Sequence, residues 1–235
     1  MLQVCTSGSS SGCSMLPAGS GLAATDFVLF VSAVATSSCT TTGAGTIAFA
    51  GTCQSDQYDR PTAGYANFCP NQLNYDGEWH DQLATATHEL LHALGFAESS
   101  LALFRAADGV TPLTPRDANG RPPRVATSCV DGITRVVNMP SNNTLQLGTE
   151  RGQTVNRIVT PRVASVVRDI FGCSALPGAE LENQPTGAGA CFGSHWEQRI
   201  SQNEVMPGVS RDSAGMSIVT MAYFQDTGWY YAHDW

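Results

Sequence analysis

Thr87-His88-Glu89-Leu90-Leu91-His92-Ala93-Leu94-Gly95-Phe96 is the stretch on which the reading of this chain turns. It ends the best helix pattern in the sequence, predicted over Asp81 to Phe96. At about 100° per residue, His88 and His92 lie only about 40° apart on the helix surface, so both imidazoles reach one ion. Glu89 projects about 100° from His88 and stands beside such an ion without being a ligand to it. Leu83, Thr87, Leu90 and Leu94 fall within about 60° of one another on the other side, the face expected to pack into a core. Zinc held by imidazoles lowers the pKa of a bound water to about 7, and a neighbouring glutamate can take the released proton. The bland alternative is two histidines on a solvated helix face.

Gly95, three residues past His92, weighs against the bland reading. A glycine at positive φ ends the helix and turns the chain back toward the ion. H-E-x-x-H-x-x-G is the opening of the metzincin pattern, which closes with a third histidine three residues later. That position is Glu98. Either Glu98 is the third ligand, or an insertion delays the histidine. Downstream lie only His195, in Gly193-Ser194-His195-Trp196-Glu197, and His233 in an aromatic tail. Eleven residues after His195 comes Met206, in the turn-prone Glu204-Val205-Met206-Pro207-Gly208, and the pairing favours a Met-turn over ordinary core packing.

Composition narrows the field around this motif. The 235 residues are 42% hydrophobic and 14% charged, which describes a folded chain. Twelve Lys plus Arg stand against 20 Asp plus Glu, a net charge of −8, so nucleic acid is not the expected partner. No stretch approaches 18 consecutive apolar residues, and no transmembrane segment is expected. Eight cysteines without a C-x-x-C pair point to disulfides and an oxidising compartment, hence an extracellular or cell-surface location. The sequon Asn142-Asn143-Thr144 agrees with export. Met1 to Ser14 has neither a basic start nor an apolar run, so the expectation is a piece of a longer secreted precursor.

The predicted architecture is α+β, with strands first and helices after. Residues 1–24 read as irregular structure. Asp26 to Ala35 reads as a strand buried on both faces, with further strands at Thr46–Ala50 and Tyr65–Phe68. Ser99 to about Gly148 reads as a long surface insertion. Val159 to Phe171 is a helix with Val163, Val166, Val167 and Ile170 on one face and Gly172 as its stop, and Ser217 to Thr227 is another before Gly228. Gly187 to Gly193 is a Gly/Ala loop. The Glu180-Leu181-Glu182 carboxylates read as a solvated face, and His80 and His233 as surface or packing residues.

The ordered segments TDFVLFV at 25–31, RPTAGY at 60–65, THELLHALGF at 87–96, VTPRV at 159–163, FGC at 171–173, GSHWE at 193–197, NEVMPGV at 203–209 and TMAYFQDTGWY at 220–230 resemble one family across nearly the whole chain. That family is leishmanolysin, a group of metzincin zinc metallopeptidases whose third histidine follows a large insertion. The resemblance implies a metzincin-like catalytic domain: a mixed sheet and zinc-binding helix in a subdomain over 1–97, then a mainly helical and irregular central subdomain over 98–235. It implies His88, His92 and His195 as ligands of one Zn2+ per chain, Glu89 as general base and Met206 as the Met-turn. The implied function is a zinc-dependent metalloendopeptidase acting on protein or peptide substrates. A propeptide and a Cys-rich C-terminal domain have no counterpart here, and the insertion from Ala97 to Ser194 is longer than usual. The family pattern also implies that Cys5 or Cys13 bridges to Cys53 and that the partner of Cys173 lies past the end of this chain. Two other readings compete. One is a non-catalytic, zinc-stabilised adhesion or binding module in which Glu98 closes the site. The other is a peptidase using Glu98 in place of His195.

Overall fold

A computed structural model describes residues 21–39, 45–73, 79–183, 191–209 and 214–231, together with the backbone of two short strands nearer the start. Those two, β1 (Leu2–Cys5) and β2 (Cys13–Leu16), pair antiparallel, where irregular structure was expected. The β-branched and aromatic run after Asp26 forms β3 (Val28–Ser32), and β4 (Ala48–Ser55) and β5 (Pro61–Phe68) follow. β3 lies parallel and β4 antiparallel to the central β5, a mixed sheet in the order β3-β5-β4. β3 is not buried on both faces. It is an edge strand, and Phe30 and Val31 are more than half exposed.

The chain then enters α1 (Trp79–Ala93), which lies on β4 and β5. Small residues make the approach close: a Cβ on Gly64 of β5 would sit 2.8 Å from the Ala93 Cβ. Thr52 of β4 donates its hydroxyl hydrogen to the Ala93 carbonyl at 3.0 Å. The buried positions of α1 are Ala84, Glu89, Leu91 and Ala93. Leu83 and Leu90, expected in the core, are exposed. Ala93 on Gly64 makes the close contact with the sheet, and Leu83 and Leu90 do not mark the inner face.

The second half carries more strand than its low periodicity suggests. A 3-10 turn (Glu98–Leu103) leads to hairpin β6 (Arg124–Ser128) and β7 (Thr134–Asn138). A second hairpin, β8 (Leu145–Glu150) and β9 (Gln153–Ile158), is extended by β10 (Ala179–Glu180). The expected surface insertion is thus partly core: Leu101, Ala102, Phe104 and Leu145 are buried. Hairpin strands with one solvated face and turns rich in Gly, Pro and Asn hide the helical periodicity by which buried segments are usually found.

α2 (Pro161–Phe171) begins with Pro at its first position and ends at Gly172, which adopts φ +58. Asp226, at the end of α3 (Ile218–Asp226), accepts the N–H groups of Arg162 and Val163 at 2.8 and 3.0 Å, so a buried carboxylate caps α2. Ser217 caps α3 through its hydroxyl. Between these helices and the end of α1 lies an aromatic core: Phe96 packs on Trp196 and Tyr223, and Phe104 on Tyr223 and Trp229. Disulfides Cys39–Cys69 and Cys129–Cys191 tie the two halves internally. Cys53 is a free, exposed thiol at a bulge of β4, so the expected bridge from Cys5 or Cys13 does not form; Cys173 is also free and exposed.

Gly95 joins helix and core. Phe96 N–H reaches back to the Leu91 carbonyl and Gly95 N–H to that of His92, closing the helix in a tight turn at φ +113. Tyr223 and Tyr230 donate their phenolic hydrogens to the Gly95 and Leu94 carbonyls, just past the last turn of the helix. A Cβ at Gly95 would meet the Trp229 ring at 2.9 Å. Gly95→Ala is therefore expected to lose about 2–4 kcal/mol of stability, from the left-handed backbone and the forced contact together. A thermal unfolding midpoint within a degree of the parent's would refute that account.

Candidate metal centre

His88 and His92 project from the same face of α1, as their spacing requires. His195, 103 residues beyond His92, is brought beside them by a small backbone ladder. Glu182 N–H donates to the His195 carbonyl, Glu197 N–H to that of Glu180, and Trp196 N–H to that of Met206. Segments 180–182, 195–197 and 205–207 thus run side by side under the site. The Nε2 atoms of His92 and His88 are 2.9 Å apart, and those of His92 and His195 3.2 Å. Among the described residues, His88, His92 and His195 are the group whose ligand atoms could hold a metal ion, all within 4.8 Å of one another.

The other ring nitrogen of each imidazole is spoken for. Nδ1 of His88 lies 2.6 Å from the Val205 carbonyl, and Nδ1 of His92 lies 2.6 Å from the Phe96 carbonyl. Nδ1 of His195 lies 2.8 Å from Oε1 of Glu182. Carbonyls only accept, so Nδ1 of His88 and of His92 carries the hydrogen, and on a neutral ring Nε2 then presents a lone pair. Burial, and then the neighbouring imidazoles, hold both rings neutral: the His88 pKa falls to about 4, and that of His92 falls well below its ordinary value. Lone pairs converging at such distances repel unless a cation stands between them. Tetrahedral ligands at about 2.0–2.1 Å from zinc are about 3.3 Å apart, close to the separations seen. The donor set fits the ion.

Glu89 follows His88 on the helix and is 5% exposed; burial pushes its carboxyl up to about 7. Met206 is fully buried, and its segment touches the site through its backbone: Val205 at His88, and Gly208, whose added Cβ would lie 3.0 Å from His195 Nδ1. Glu204 pins this turn, accepting from Met206 N–H, Ser217 N–H and the Thr220 hydroxyl. Glu98 points elsewhere. Its carboxylate accepts the N–H groups of Cys191 and, at 2.8 Å, Phe192, and so fixes the approach to His195. His80 is exposed and stacks on Trp79 at 3.7 Å, while His233 and most of the Gly/Ala loop lie outside the described residues.

The sequence reading missed three acceptors. The carbonyls of Phe96 and Val205 carry no signature, since any residue offers them. Glu182 was expected on a solvated face, but it is 1% exposed and Leu181 2%. Glu180 is also largely covered, paired with Arg157 and Arg199.

Comparison with known proteins agrees with this geometry. A family model described as leishmanolysin matches residues 3–234. A leishmanolysin-like peptidase of Drosophila melanogaster is 39% identical over 223 residues, covering 92% of this chain and 32% of the fly protein. One from Caenorhabditis elegans is 36% identical over 222 residues, covering 90% and 32%. The ciliated left-right organizer metallopeptidase of Mus musculus is 31% identical over 218 residues, covering 91% and 26%. The chain therefore spans about a third or less of the length of these relatives.

Proposed function

The chain belongs to the leishmanolysin family, and from that premise we propose that it is the catalytic part of a zinc-dependent metalloendopeptidase of metzincin type, working on proteins or peptides outside the cell or at its surface. One observation carries the reading: three imidazoles converge their Nε2 atoms while the Nδ1 of each is held by an acceptor. His88, His92 and His195 would hold the ion, leaving a fourth position for water or substrate, which is the mark of a catalytic rather than a closed site. Zinc, when bound, supplies polarisation of the scissile carbonyl and acidification of water. Glu89 accepts the proton of the attacking water and passes it to the leaving amine. Met206 and its turn form the floor that keeps His88 and His195 in register.

The reading of a closed, non-catalytic module needs a fourth protein donor. Glu98 was the candidate for it, and its carboxylate is engaged with the backbone of Cys191 and Phe192.

The test joins two measurements on the purified chain. Metal analysis is expected to return one zinc per chain. Digestion of a peptide library is expected to stop when a chelator strips the ion and to resume when zinc is returned. Zinc bound without cleavage of any peptide would favour the binding module, and cleavage indifferent to chelator would end the metal mechanism.

A further inference from the structure

We propose that Glu182 is the positioning residue of the third ligand, orienting His195 through Nδ1 and lending that imidazole a negative charge that strengthens its hold on the ion. The inference rests on the zinc-site reading above. His88 and His92 are braced by neutral backbone carbonyls, whereas His195 is braced by a carboxylate. Oε1 of Glu182 also accepts the Ser194 N–H at 2.9 Å, so one oxygen fixes both the ring and the backbone just before it. Glu182 N–H in turn donates to the His195 carbonyl at 2.9 Å. Main chain and side chain of the two residues are thus locked together.

Two glycines make room for this pair. Gly193 adopts φ +96, and a Cβ there would come within 2.5 Å of the Glu182 carbonyl oxygen and 2.9 Å of its Cγ. A Cβ on Gly208 would lie 3.0 Å from His195 Nδ1 and 3.1 Å from Glu182 Oε2. The chain closes on the carboxylate–imidazole pair from both sides, with no room for a side chain at Gly193 and little at Gly208. The Glu182 side chain is 1% exposed, so water does not compete for its bond to His195. Carboxylates that accept from a ligand imidazole raise its basicity and fix its tautomer.

Glu182→Gln is the informative variant, because an amide oxygen of the same reach removes the charge and keeps an acceptor. Zinc affinity, measured by competition with a chelator, is expected to fall about tenfold to a hundredfold. The visible absorption bands of the Co2+-loaded protein are expected to shift, since the donor strength at His195 changes. The unfolding midpoint of the metal-free protein should stay level with the parent's, because the amide keeps an oxygen acceptor for Ser194 N–H and His195 Nδ1. A purely structural role predicts the reverse, a lowered midpoint with parent-like affinity and Co2+ bands, and that outcome overturns the proposal. His195→Ala separates the two layers of inference. If the parent takes up no zinc, or His195→Ala holds it as tightly, the metal site itself fails and Glu182 with it. If His195→Ala loses zinc while Glu182→Gln binds it as the parent does, only the role of Glu182 falls.

Discussion

Glu89→Gln is expected to lower kcat about 10²- to 10⁴-fold while zinc stays at one per chain. The helix carries Glu89 about 100° away from His88, so it stands beside the focus of the three imidazoles and not at it. A glutamine fills the same space but cannot take a proton from water or return one to an amine. Loss of the ion is not expected, because the converging set is made of His88, His92 and His195. Nor is loss of the fold, since Glu89 is a buried carboxyl that burial already pushes up to about 7, and an amide removes the charge that makes it unfavourable there. Metal analysis and turnover on one preparation read both halves of the prediction. Full turnover in the variant would refute the assignment of the base. Joint loss of zinc and activity would make Glu89 a ligand instead.

How far the site could be read ahead depended on how local its geometry is. His88, Glu89 and His92 share one helix, and a fixed rise and rotation place them before any tertiary contact is known. Gly95 was legible for the same reason, since a helix stop needs only its own backbone. His195 was not. From the residues alone Glu98, His195 and His233 were all open, and His195 lies 103 residues beyond His92. Family resemblance pointed to it, and the ladder of 180–182, 195–197 and 205–207 is the physical cause of its placement. Glu182 was misread because a Glu-Leu-Glu run reads as solvated, whereas the segment just past β10 is covered at both Leu181 and Glu182. The fold shows the same division. α2 stops at Gly172 as its local signal predicts, whereas the leucines of α1 misled because alanine and glycine, not leucine, make the close contact with the sheet. Pairing across hairpins β6–β7 and β8–β9 is non-local, and periodicity in a single strand cannot report it.

His195→Ala is expected to weaken zinc binding by more than the hundredfold that a ligand's hydrogen-bond partner commands, and to abolish proteolysis at ordinary zinc concentrations. Two imidazoles on one helix turn remain in that variant, an incomplete set for an ion that takes three protein ligands in catalytic sites. The comparison that gives the result its meaning is Glu98→Ala. Glu98 holds the N–H groups of Cys191 and Phe192, and its own N–H lies 3.3 Å from the Ser194 hydroxyl, so its removal loosens the segment that delivers His195. The Cys129–Cys191 disulfide and the bond from the Asn156 amide to the Phe192 carbonyl still restrain that segment. Glu98→Ala should therefore cost less than about tenfold in zinc affinity, well short of His195→Ala. If the order is reversed, with His195→Ala binding zinc as the parent does and Glu98→Ala losing it, the three-imidazole centre is wrong and the carboxylate three residues past Gly95 is the ligand. A segment braced by Glu98 and a centre closed by Glu98 predict opposite rankings of these two variants, so one titration series decides between them.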